Sequence, residues 1–140
     1  FNEKANRFAN LLLQRGVKKG DKVAILMMNG LEWLPIYFGI LKTGALAVPL
    51  NFRYASDEIE YCLNLAEVDA LVFGPEFIGR VEEIADSISK NRLLIYAGTG
   101  SCPSFADCHG WGTLGTQKST RGLQQCFHQI VGAKIRLYLC

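Results

Sequence analysis

Acidic groups all but vanish late in this chain: after Asp86 the one carboxylate side chain is Asp107. A pair of carboxylates for magnesium therefore has no place downstream. Histidine is scarce, with His109 and His128 alone, and no Cys-x-x-Cys spacing occurs. Cys102, Cys108, His109, Cys126 and His128 lack the short paired spacings that zinc sites favour, so no metal ligand is assigned. Cys108 beside His109 does not make a nucleophile–base pair, because adjacent residues rarely bring both side chains to one point. No uninterrupted apolar run reaches the roughly 18 residues of a membrane span. The longest candidate, Leu31 to Leu50, is broken by Glu32, Lys42, Thr43 and two prolines. Charge of one sign is lacking as well: the net value of +2 gives no case for nucleic acid or an acidic membrane. There is no internal repeat and no low-complexity tract. The chain starts at Phe1 rather than methionine, so its natural N-terminus, with any targeting segment, is expected upstream. Five cysteines without framework spacing predict free thiols and a cytoplasmic location.

What is present suits one domain or part of one: 140 residues with an apolar share of 49%. Charge and cysteine are unevenly spread. Acids and bases nearly balance up to Ala106, whereas bases lead from Asp107 onward, where both histidines also fall. Cys62 stands alone in the first hundred residues and four cysteines crowd the last forty. This shift places a boundary near Phe105, with one unit over residues 1–105 and a tail over 106–140.

The periodicity alternates. Ala5, Phe8, Ala9 and Leu12 form a helical stripe that Asn2 would cap and Gly16 would end. Lys22 to Met28 reads as a buried strand after a polar turn. A helix follows from about Leu31 to Thr43, starting at Trp33 or Leu34 because Pro35 belongs in a first turn. That helix is apolar nearly all round, which predicts cover on most sides. Gly44 supplies the left-handed residue after it, and Ala45 to Val48 then predicts a central strand covered on both faces and closed by Pro49. Ser56 reads as the cap of a helix burying Ile59, Cys62, Leu63 and Ala66. Ala70 to Phe73 is a strand, Gly74 and Pro75 a turn. Phe77, Val81, Ile84, Ala85 and Ile88 mark a helix, and Leu93 to Tyr96 a further strand. Helices alternating with strands demand a mostly parallel sheet with right-handed crossovers, hence an α/β fold. Beyond Gly98 the periodicity fails, and Ile135 to Leu139 alone reads as a strand by composition.

The wording of several stretches says more than their period. Leu41 to Asn51 reads LKTGALAVPLN, preceded by Asn29 and Glu32-Trp33-Leu34; the N-terminal helix ends in QRGVKKGDKVAILM, and SDEIEYCLN leads to DALVFG. Together these resemble the N-terminal portion of the adenylate-forming acyl-CoA synthetases, the AMP-binding acid–thiol ligases, over Phe1 to about Phe105. The resemblance implies an enzyme that turns ATP and a carboxylic acid into acyl-adenylate, then transfers the acyl group to coenzyme A. It implies ATP, magnesium and coenzyme A for the intact enzyme, and a fatty or aromatic acid as substrate.

The groups that the family uses for that chemistry are not matched. Tyr96 to Ser101, YAGTGS, is superficially like its phosphate loop but runs into Cys102, Pro103 and Ser104 in place of Gly, Pro and Lys. Gly110 to Ser119 approaches a P-loop, yet Lys118 stands two residues late and no clear strand precedes it. Gly98 and Gly100 fail the dinucleotide fingerprint because Pro103 replaces its third glycine. Arg53, after Asn51 and Phe52 at a strand's carboxyl end, has a place where a phosphate could sit, though a solvated loop explains it as well. No catalytic residue is assigned, no cofactor-binding residue is identified, and the fragment is expected to bind no cofactor itself. Two alternatives remain: a non-enzymatic α/β interaction module, and a small nucleotide-binding domain using Gly98 to Lys118.

Overall fold

The computed structural model describes residues 1–98 and 102–109, the last two by backbone only. Its elements run α1 (Asn2–Gln14), β1 (Lys22–Leu26), α2 (Trp33–Lys42), β2 (Leu46–Pro49), α3 (Ser56–Leu65), β3 (Ala70–Phe73), a 3-10 turn (Pro75–Phe77), α4 (Ile78–Ile88), β4 (Leu93–Ala97) and β5 (Asp107–His109). The five strands form one sheet in the order β2-β1-β3-β4-β5, and every pairing is parallel. The α/β architecture read from the sequence is therefore the one observed.

Strand alternation divides the core into two layers, because successive side chains point to opposite faces. Val23, Ile25, Ala70, Val72, Ile95 and Ala97 face α1 and α2, where Phe8, Leu12, Ile36 and Ile40 are buried. Ala24, Leu26, Leu71, Phe73, Leu94 and Tyr96 face α3 and α4, where Ile59, Leu63, Val81 and Ile88 are buried. Each fully buried Leu, Ile or Phe contributes about 1.5–3 kcal/mol relative to exposure, so both layers stabilise the sheet.

Gly44 has φ of +82° and turns the chain from α2 into β2, as its place in the sequence predicts. The strand it leads into differs from expectation. Ala45 to Val48 reads as a central strand, but among the described residues β2 is an edge: β1 alone pairs with it there and Leu46 is 53% exposed. An apolar run gives burial of neither face by itself, so its position in the sheet is a tertiary outcome. Part of that edge is withheld from further pairing. Leu46 and Leu50 donate to Asp21 and Ile25 carbonyls, so residues 45, 47 and 49 turn outward. There Ala45 N–H donates to Thr43 Oγ1 and Pro49 has no N–H at all.

Two helix starts also move. Phe1, not Asn2, precedes α1, and Asn2 Oδ1 instead accepts from Lys42 Nζ on α2. Ala55 precedes α3, with Glu58 accepting its N–H at 2.7 Å, while Ser56 Oγ donates to Glu83 on α4. A side chain offered a tertiary partner gives up its local cap. The sheet also continues past Phe105: β5 pairs with β4, and Arg15 Nε lies 3.4 Å from Asp107 Oδ2. Cys62 carries a free thiol, whereas Cys102 is disulfide-bonded, against the expectation of free thiols throughout.

Candidate functional site

In the order β2-β1-β3-β4-β5 the chain leaves β1 toward β2 through α2 and leaves β3 toward β4 through α4. Those helices cover opposite faces, so the crossovers part between β1 and β3. Open α/β sheets bind ligands outside the carboxyl ends at such a switch point. Here the edge is built from 27–32 after β1, Gly74 to Phe77 after β3, and Gly98 after β4.

The loops come close. Gly74 N–H donates to Leu26 O at 3.1 Å. A Cβ on Gly74 would stand 3.7 Å from Met27 Cγ and 2.9 Å from Glu76 Oε2. One on Gly98 would stand 3.2 Å from Pro75 Cδ and 2.7 Å from the Tyr96 hydroxyl. A side chain at position 98 would press on Pro75 and the Tyr96 hydroxyl, whereas at position 74 the flexible Glu76 carboxylate could move aside. Below them Phe73 packs between Tyr96 and Phe105, with ring centroids at 5.8 and 5.9 Å.

The charges at this edge are of the wrong sign for a nucleotide's phosphates. Glu32 stands at the start of α2 and Glu76 in the 3-10 turn, while 27–32 and 74–77 hold no lysine or arginine. A triphosphate there would meet carboxylates at the helix ends that would otherwise attract it. Nor do the described residues contain a group of three His, Cys, Asp or Glu able to hold a metal ion. Among the described residues, these loops offer the phosphates of ATP no cationic side chain.

The residues singled out by sequence fall as follows. Arg53 is exposed; its guanidinium lies 5.6 Å from the Phe52 ring centroid and its backbone N–H donates to Asn51 Oδ1. Arg80 on α4, which no sequence motif singles out, holds that loop by donating to the carbonyls of Phe52 and Tyr54 at 2.6 and 3.3 Å. Its guanidinium stacks 5.2 Å from the Phe77 centroid. No local pattern announces a contact 28 residues away. Of YAGTGS, Tyr96 to Gly98 are described, and Gly98 lies at the edge. Thr99 to Ser101, Gly110 to Ser119, Cys126 and His128 lie outside the described residues. Among the described residues no helix is long and apolar enough to cross a membrane.

The profile of the family described as AMP-binding enzyme matches residues 1–110. This chain belongs to that family of adenylate-forming acyl-CoA synthetases. A relative from Mycolicibacterium smegmatis, a medium/long-chain-fatty-acid–CoA/3-oxocholest-4-en-26-oate–CoA ligase, is 36% identical over 101 residues, covering 72% of this chain and 18% of its own. The mouse long-chain fatty acid transport protein 6 is 35% identical over 107 residues, 76% of this chain and 17% of its own. Among solved structures, the Mycobacterium tuberculosis fatty acyl CoA synthetase superposes with a TM-score of 0.61 at 31% identity, covering 68% of this chain and 19% of that one. The chain thus spans less than a fifth of the length of these relatives.

Proposed function

We propose that this chain forms the amino-terminal sheet of an ATP-dependent acyl-CoA synthetase and does not itself make acyl-adenylate. In the intact enzyme a carboxylic acid and ATP would give acyl-adenylate and pyrophosphate, and coenzyme A would then displace AMP. The observation that carries the reading is the family match over residues 1–110 together with the described loops 27–32 and 74–77, which present Glu32 and Glu76 and no lysine or arginine.

Adenylyl transfer needs the phosphates positioned and their charge neutralised. That requires amides and a cation around the triphosphate, and a magnesium site. The relatives' names point to acids with a long apolar body as the substrate class. We place the family unit at residues 1–105, the tail at 106–140, and the protein in the cytoplasm. The comparisons favour neither the interaction module nor the small nucleotide-binding domain.

The test is ATP–pyrophosphate exchange by the purified 140-residue chain with a panel of fatty and aromatic acids. No exchange above background is expected. Exchange that Lys118→Ala abolishes would overturn the reading and revive the nucleotide loop.

A further inference from the structure

Among the described residues, the turn that carries β4 into β5 has few non-covalent ties. β5 is three residues long and has β4 as its one described neighbour. Its ion pair, Arg15 Nε to Asp107 Oδ2 at 3.4 Å, joins side chains that are 47% and 37% exposed. Exposed pairs of that kind hold a segment weakly. A backbone bond closes the turn, Ala106 N–H to Pro103 O at 3.2 Å. The Phe105 ring stacks on Phe73 at 5.9 Å between centroids, and Phe73 is buried. Cys102, exposed at the start of the turn, is disulfide-bonded, and its Sγ lies 3.4 Å from Ala106 O. Cys62 is free, so the second sulfur belongs to Cys108, Cys126 or Cys140.

We propose that this disulfide is a redox-sensitive latch. Closed, it keeps residues 102–109 against β4; opened by a dithiol reductant, it lets them leave the sheet edge. An exposed disulfide is within reach of an attacking thiolate, which a buried staple is not. One reductant sulfur bonds to a cysteine sulfur as the S–S bond breaks, and the other cysteine leaves as thiolate. The reductant's second sulfur then displaces the first cysteine. The reductant ends as a disulfide, and its two thiol protons end on the two cysteines. The cytoplasmic placement proposed above supplies such a reductant and makes an exposed disulfide transient. Departure of Phe105 would uncover Phe73, which packs against Tyr96 below the loops at Gly74 and Gly98. The redox state thus reaches the floor of the carboxyl edge.

The test is hydrogen exchange of the 140-residue chain before and after dithiothreitol, read on peptides from 102–109 and from α3. Reduction should speed exchange over 102–109 at least about tenfold and leave α3 unchanged. Cys102→Ser should show the fast exchange without reductant, and thermal melting checks that this variant folds. Cys62→Ser should respond to dithiothreitol as the wild type does. In protein purified without reductant, iodoacetamide should modify Cys102 only after dithiothreitol. Equal exchange over 102–109 in oxidised and reduced wild-type protein would overturn the proposal, whatever the variants do. So would alkylation of Cys102 before reduction, or a bond that survives excess reduced glutathione, which marks a permanent staple. None of these readouts uses ATP–pyrophosphate exchange, so failure of the latch and failure of the enzymatic reading are told apart.

Discussion

Gly39 of α2 lies against the backbone of α1 at Ala5: a Cβ at position 39 would stand 2.9 Å from the Ala5 carbonyl oxygen and 3.0 Å from a Phe8 ring carbon. Both obstacles are fixed, one being backbone and the other a ring wholly buried under the two helices. Gly39→Val is expected to destabilise by about 1–3 kcal/mol through overpacking. Urea unfolding measures it, and a midpoint equal to wild type would mean that the helices do not meet this closely.

Gly44→Val is expected to cost more than about 1 kcal/mol, because φ of +82° disfavours a β-branched residue. The nearest obstacle, Lys19 Cγ at 3.0 Å, is a flexible side chain that can move aside. The cost therefore lies in the backbone, and Gly44→Asn should recover part of it, since Asn tolerates the left-handed region. Equal stabilities for the Val and Asn variants would defeat this account.

Arg92 closes the end of α3. It donates from Nε to Val68 O at 2.8 Å, and from Nη2 to Leu63 O at 3.2 Å and Asn64 Oδ1 at 2.8 Å. A cation at a helix C-terminus also meets the dipole favourably. Arg92→Met keeps the stem and loses the donors. A loss of about 1–2 kcal/mol is expected, with faster hydrogen exchange in the last turn of α3. Unchanged exchange there would show that Lys22, which donates to Ala66 O at 2.9 Å, suffices alone.

Desolvation by burial holds the Lys42 ammonium below the ordinary lysine value of 10.5. Its donors reach Asn2 Oδ1 and Asn6 Oδ1 across to α1. A lowered folded-state value means the unfolded chain binds more protons between the two values, so stability from this group rises with pH through that window. Below the window the charged form carries its full desolvation cost. Lys42→Met should flatten the rise in stability just below pH 10.5 relative to wild type, measured by urea midpoints across alkaline pH. Parallel profiles for the two proteins would contradict it.

The sequence by itself determined the alternation of helix and strand, the parallel sheet, the turn at Gly44 and the family. These depend on local period, on a residue free to take positive φ, and on the wording of LKTGALAVPLN. The tertiary structure alone decided that β2 is an edge, since the same apolar run serves a centre or an edge according to which strands stand beside it. It alone turned Asn2 and Ser56 from caps into partners of Lys42 and Glu83, because distant groups outcompeted the local N–H donors. The carboxyl edge was half legible: Gly74 and Pro75 read as a turn, but Glu32 and Glu76 share an edge only because β1 pairs with β3. Arg80 and the fifth strand were illegible for the same reason. Their contacts join residues far apart in the chain, where periodicity carries no information.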